Sequence, residues 1–223
     1  MPDRTPPAEA CPLCDSGNSW EYCHDRTRDY LRCGTCNLVF VPRGQLVSAA
    51  QEKARYDTHR NSPEDPLYRQ FLGRLFDPIE QRLARRSRGL DFGSGPGPTL
   101  SLMFAEAGHS MAIYDRFYAP DPSVLEGEYT FITATEVVEH LQHPGEELGR
   151  LWARLEPGGY LGLMTQLVLD RNRFARWRYK DDVTHIRFFS RTTFEWLAAR
   201  WRADLQFPEK DVIIFEKPLP LSN

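Results

Sequence analysis

No apolar run in these 223 residues approaches the ~20 needed to cross a bilayer, and the opening MPDRTPPAEACPLC has no hydrophobic signal core. The chain is therefore expected to be soluble and cytoplasmic, with no membrane partner. A positive field is also missing. Acidic residues number 31 against 28 basic ones, so any polyanion would have to find a local patch. Internal repeats and low-complexity tracts are absent, and so is cysteine after residue 36. All five cysteines lie before that point, and an odd, clustered set fits a metal site better than a secreted disulfide framework. The length and 41% hydrophobic content suit one buried core with a small appended module.

That module is written in cysteine. Cys11, Cys14, Cys33 and Cys36 form C-x2-C-x18-C-x2-C, the spacing of a four-thiolate zinc ribbon. Each short knuckle grips one ion with two thiolates, and the segments SWEYC and YLRC are expected to be the strands that carry them. Cys23 and His24 read as bystanders. A structural zinc supplies folding free energy to ~30 residues that could not build a core alone, so it implies binding or shaping and not chemistry.

From residue 44 to 88 the pattern turns helical. Ser62, Pro63, Glu64 and Asp65 read as a helix start, and Leu67, Phe71, Leu75, Ile79 and Leu83 recur every four residues, with a bend expected at Pro78. Arg82, Arg85, Arg86 and Arg88 would complement the dipole at the end of that helix. After Gly89 short apolar strands (GLDF, SMAIYD, YTFITAT, YLGLMTQ, DVIIFEK) alternate with helical stretches, which argues an α/β, mostly parallel sheet covered on both faces. The expected organisation is a zinc-ribbon-like module at 1–43, a helical linker or cap at 44–88, and the α/β domain at 89–223.

GLDFGSGPGP occupies the first strand-to-helix turn, where Gly93, Gly95 and Gly97 let the backbone approach a ligand before a helix N-terminus. The dinucleotide fingerprint would require glycine where Pro98 stands. Instead Asp91 precedes the loop and Asp115 ends the next strand. With FITATEVVEHL and LEPGGYLGLMTQ following in order, residues from about 89 to 166 resemble the class I S-adenosylmethionine-dependent methyltransferases, a Rossmann-like fold. The resemblance implies that Asp91 and the loop Gly93, Ser94, Gly95 and Gly97 hold the methionine end of S-adenosylmethionine, and that Asp115 holds the ribose. Only 13 residues separate Asp115 from Tyr129, too few for the helix, third strand and helix usual there, so the third strand should be missing or vestigial. Phe117 or Tyr118 is then a substitute platform for adenine, or either is core.

TATEVVEHLQHP puts Glu136, Glu139, His140 and His143 on one face of an expected helix. In the ubiquinone-biosynthesis O-methyltransferases and the small-RNA 3'-terminal 2'-O-methyltransferases a similar E-x-x-E-H and a later histidine hold a divalent metal. The resemblance carries over to Glu136, Glu139 and His140, with His185 of DDVTHIRFF as the later histidine. Such a donor set suits Mg, Mn, Fe or Zn and would lower the pKa of a substrate oxygen. The alternative is a turn without metal, its glutamates touching cofactor or capping a helix, with His185 as a direct general base. His143 reads as a helix-end residue. RNRFARWRYK, with five cations among Phe174, Trp177 and Tyr179, is either a phosphate or base clamp or a lid over the methyl donor.

The function these readings imply is methyl transfer to a hydroxyl or carbon of a small metabolite or a sugar or lipid intermediate. Similar four-cysteine modules accompany deoxysugar C-methyltransferases and a ribosomal-RNA guanine methyltransferase, so RNA is the less favoured acceptor. A zinc-ribbon binding protein with a non-catalytic methyltransferase-like domain is the non-enzymatic alternative.

Overall fold

The computed structural model describes residues 9–58 and 62–220. Residues 1–8 of the expected module, 59–61 of the expected linker and 221–223 lie outside the described residues. The N-terminal strands β1 (Ser19–His24), β2 (Asp29–Cys33) and β3 (Val39–Phe40) pair antiparallel in that order. They are short because the Asp25–Arg28 turn after β1 and the Cys33–Cys36 knuckle after β2 reverse the chain within a few residues. Two helices follow, α1 (Ala49–Tyr56) and α2 (Pro66–Glu80).

The start of α2 differs from expectation. Asp65 is its N-cap, its Oδ1 accepting from the Leu67 amide at 2.9 Å, with Pro66 in the first turn, while Ser62 hydrogen-bonds to Glu64 instead. Leu67 points to solvent at 73% exposure, and the buried stripe is Leu72, Leu75 and Ile79. The helix ends at Glu80, ahead of the arginine run. Arg82 reaches back to the Pro78 carbonyl, whereas Arg88 already belongs to the next strand.

The main sheet is built from β4 (Arg88–Phe92), β5 (Ser110–Tyr114), β6 (Tyr129–Thr135), β7 (Leu155–Met164), β9 (Asp204–Glu209) and β10 (Val212–Glu216), interleaved with α3 (Thr99–Glu106), α4 (Pro144–Arg154), α5 (Arg171–Ala175), a two-residue strand β8 (Arg187–Phe188) and α6 (Arg191–Trp201). Its order is β5-β4-β6-β7-β10-β9. The first four strands are parallel and β10 and β9 are antiparallel to their neighbours. Strand β9 was not legible as a separate apolar run, being exposed or half-buried along its length. Between Asp115 and Tyr129 the chain makes one isolated bridge, Asp115 to Ala119, and a 3-10 turn at Pro122–Glu126. The third strand is missing, as the short spacing implies.

The core follows from these layers. Leu90, Phe131, Ile132, Leu161, Leu163, Ile213 and Phe215 are fully buried along the sheet. A second cluster joins Tyr22, Tyr30 and Val39 of the N-terminal sheet to Phe174 and Phe188. Strand β8 is the reason: it pairs with β3 through Val39 to Phe188 and Phe40 to Arg187, so the N-terminal sheet has four strands and its last one comes from the far end of the chain. No helix among the described residues is long and apolar enough to cross a membrane.

Candidate active site

Strand β4 ends at Phe92, and the loop after it is pinned to the end of β5: the Gly93 and Ser94 amides donate to the Tyr114 carbonyl at 2.7 and 3.2 Å. Gly93 and Gly95 have φ of +76° and +64°, a region that side chains resist. A Cβ on Gly93 would also stand 2.4 Å from a methyl of Val137. Asp115 locks this loop to the next turn. Its Oδ2 accepts from the Gly95 amide at 3.0 Å, and its Oδ1 accepts from Phe117 and Tyr118 at 2.8 and 3.0 Å.

A cavity of about 700 Å³ opens in front of this loop, walled by Gly93, Ser94, Gly95 and Asp115 at one end and by Glu136, His140 and His185 at the other. The Ser94 and Thr135 hydroxyls are buried there without a hydrogen-bond partner among the described residues, which leaves polar atoms for a ligand to satisfy. Asp91 and Gly97 do not line the cavity. Asp91 lies beneath the loop, 4% exposed, accepting from Ser101 Oγ at 3.0 Å and Thr133 Oγ1 at 3.1 Å. Burial pushes its pKa up to about 6, against the pull of those two hydroxyls. Tyr118 lines the cavity and donates to Asp57, while Phe117 packs edge-on against Tyr56.

At the acceptor end the expected helix does not form. Glu136 adopts φ +53° and donates its amide to Met164 at the end of β7, so the chain turns through three residues of 3-10 structure, Val138–His140, before α4 begins. The turn still converges the side chains. Glu139, His140 and His185 each present a ligand atom within 4.8 Å of the others. Glu136 is outside this group; it faces the same cavity and shares the Tyr179 hydroxyl with Glu139. His143 sits exposed at the N-cap of α4.

Both imidazoles are oriented by carbonyls: His140 Nδ1 donates to Thr184 at 2.9 Å and His185 Nδ1 to Tyr179 at 2.6 Å, with the rings 4.7 Å apart. Donation from Nδ1 leaves the lone pair on Nε2. Burial raises the pKa of both glutamates; for Glu136 the neighbouring Glu139 carboxylate adds to it, and for Glu139 the hydrogen bond from Tyr179 opposes it. Burial lowers that of His185. Glu139 is fully buried, and its Oε2 has no hydrogen-bond partner among the described residues.

Tyr179 was missed as a site residue because it is embedded in RNRFARWRYK. That segment does not cover the methyl-donor end: Phe174 is buried against Tyr22, Tyr30 and Phe188, and Arg171, Arg173, Arg176 and Arg178 face solvent. The cover is α1, which brings Glu52 and Tyr56 over the cavity. Its buried glutamate was the available signal, an acid on the inner side of a short, mostly polar helix.

The four N-terminal thiols also converge. Cys11, Cys14, Cys33 and Cys36 place their sulfurs within 4.8 Å of one another, Cys11 and Cys36 at 3.5 Å and Cys14 and Cys33 at 3.5 Å. The residue after each knuckle, Asp15 and Asn37, takes a left-handed φ of 58° and 61° that turns the chain away from the sulfurs. Cys23 and His24 stand apart from this cluster.

A family described as methyltransferase domain matches residues 56–206, and the chain belongs to it. It is thus an enzyme of the S-adenosylmethionine-dependent methyltransferase class. Among solved structures it is similar to a 1,6-didemethyltoxoflavin-N1-methyltransferase of Burkholderia thailandensis with bound 1,6-didemethyltoxoflavin and S-adenosylhomocysteine (16% identity, TM-score 0.49, covering 81% of this chain and 96% of that one). It is also similar to the N-methyltransferase NodS of Bradyrhizobium japonicum (15%, 0.48, 75% and 97%). Human N-acetylserotonin methyltransferase is a third (15%, 0.45, 68% and 53%). No curated protein matches the chain by sequence.

Proposed function

We propose that the protein methylates an oxygen of a small metabolite or a sugar or lipid intermediate, with Glu139, His140 and His185 holding a divalent ion beside the acceptor. The observation that carries this reading is the convergence of those three side chains, with Glu139 Oε2 buried and without a hydrogen-bond partner among the described residues, and with His140 and His185 lining the cavity that the glycine loop also lines. Two imidazoles and a carboxylate suit a borderline to hard ion, and the carbonyl bonds at both Nδ1 atoms are the outer contacts such ligands need. The ion would supply Lewis acidity, lowering the pKa of an acceptor hydroxyl. Gly93, Ser94, Gly95 and Asp115 orient S-adenosylmethionine, and Asp91 sets negative charge under the loop. The acceptor hydroxyl gives its proton to the Glu136 carboxylate, which faces the cavity outside the three-ligand group, and as its oxygen bonds to the methyl carbon the carbon–sulfur bond breaks and the sulfur leaves as neutral thioether. Tyr179 steadies Glu139 through its hydroxyl, and α1 shields the reaction from water.

The excess of acid over base in the walls favours an uncharged acceptor over a nucleic acid: Glu52, Asp115, Glu136, Glu147 and Asp182 face the cavity against one arginine, Arg116, which is itself paired with Glu52, so no free cation is left there for phosphate among the described residues. We also infer that residues 1–43 are a module held by zinc on Cys11, Cys14, Cys33 and Cys36, that 44–88 cap the cavity, and that 89–223 form the methyltransferase domain. The test is calorimetric titration of Mn2+ into protein with its zinc retained. One Mn2+ per chain, abolished in Glu139→Gln, supports the reading. Absence of Mn2+ binding overturns the metal and leaves His185 Nε2 as the group that takes the acceptor's proton.

A further inference from the structure

We propose that the four-cysteine ribbon is a positioning element of the active site, and that Arg28 is the residue through which it fixes His185. The inference rests on the reading that His185 works in the cavity. Arg28 sits in the turn between β1 and β2, which Asp25 closes by accepting from the Thr27 and Arg28 amides at 2.9 Å each. Its guanidinium is turned inward, leaving the residue only 8% exposed. Nη1 donates to the carbonyls of Val183 and His185 at 3.1 and 3.0 Å. Nη2 donates to those of Lys180 and Asp182. All four acceptors belong to the six-residue stretch that ends in His185. Lacking a helix or strand over most of its length, that stretch has few internal partners for its carbonyls, and a planar fork of donors is suited to gather them.

The hold is reciprocal and extends past His185. Lys180 Nζ returns to Asp25 at 2.9 Å. On the other side, the Val41 amide donates to the Ile186 carbonyl at 3.0 Å, and β8 then completes the ribbon's sheet. The second histidine is tied in as well. Arg187, 3% exposed and without a salt bridge among the described residues, donates to the carbonyls of Val41 and Gln142 at 3.0 and 2.9 Å. Gln142 lies two residues after His140. The first cysteine knuckle packs on the start of α4, where the Gly145 amide donates to the Pro12 carbonyl at 3.2 Å. A Cβ at Gly145 would stand 2.5 Å from the Leu13 carbonyl oxygen. Among the described residues the methyl-donor loop shows no such tie: it is fixed by Tyr114 at the end of β5 and by Asp115 just after it. The ribbon therefore governs the histidine end of the cavity and leaves the donor end alone.

The experiment uses the full chain with Arg28→Ala and Arg28→Lys. Four readouts are taken: zinc content, S-adenosylhomocysteine affinity, amide hydrogen exchange, and imidazole nitrogen spectra of labelled histidine. Arg28→Ala that keeps its zinc is expected to bind S-adenosylhomocysteine within about twofold of wild type, yet exchange its 184–186 amides about tenfold faster or more. Its His185 ring should lose the fixed Nδ1–H form, and Arg28→Lys should be intermediate. Wild-type exchange at 184–186 with unchanged His185 signals would overturn the proposal. So would an equal loss of donor binding, the mark of general damage. If Arg28→Ala loses its zinc, Arg28→Lys is judged by the same criteria. Failure of Mn2+ to bind wild type removes the metal and leaves these exchange and ring readouts standing.

Discussion

Asp91→Asn is expected to stabilise the protein at neutral pH and to erase part of its pH dependence. The carboxyl is wholly enclosed by protein, and its pKa rises from 3.8 to about 6. Between those values the folded state holds a proton that the unfolded chain has released, so stability is fullest below pH 3.8 and declines as pH rises through about 6. At ~1.4 kcal/mol for each tenfold change, the decline attributable to Asp91 is about 3 kcal/mol. Asparagine has the same shape, and the Ser101 and Thr133 hydroxyls can rotate to accept from its amide, so the variant avoids burying a charge without opening a cavity. Urea unfolding of both proteins from pH 4 to 8 isolates this contribution as a difference curve. The variant should gain little at pH 4 and about 2–3 kcal/mol above pH 7, a midpoint shift of about 1 M urea or more. It should also bind S-adenosylhomocysteine more weakly, because the ligand's ammonium loses a negative charge beneath the loop. A flat difference curve, or one that grows toward acid pH, would show that Asp91 is not the buried carboxyl the structure describes.

Gly93→Ala should cost about 2–5 kcal/mol, of which ~1–2 is the left-handed backbone and the rest the collision with Val137. Gly95→Ala, with open space around its Cβ, should cost only the backbone part, and equal losses in urea unfolding would refute the distinction. Tyr179→Phe should weaken Mn2+ binding about 10–100-fold with donor affinity unchanged, since Glu139 loses its oriented partner. Unaltered Mn2+ titration would remove Tyr179 from the site.

Sequence patterning located the glycine loop, the two aspartates and the strand alternation because each is a local requirement: a left-handed turn, a strand-end acid, a buried apolar run. The missing third strand could be read from a chain too short to hold it. Convergence of His185 with Glu139 and His140 was legible from a motif, but its geometry was not. A helix through Glu136 ignored the backbone's need to leave β6 while still bonding to β7, which forces that residue left-handed and swings its carboxylate out of the three-ligand group. That Asp91 lies beneath the loop and not on the cavity wall was not legible, because its position along the chain says nothing of depth. RNRFARWRYK could not be oriented, because the surface that receives Phe174 belongs to the N-terminal module, more than a hundred residues earlier in the sequence.

The closing of the N-terminal sheet by β8 bears on how the protein is made. During synthesis the four cysteines proposed to hold zinc emerge early as a local loop, but β3 must wait about 150 residues for its partner strand. Until then Val39 and Phe40 present an open edge, and Tyr30 lacks the cover of Phe174 and Phe188. The ribbon and the end of the catalytic cavity are thus completed in one late event, so a chain truncated before residue 187 should retain metal while exposing a sticky strand edge to aggregation.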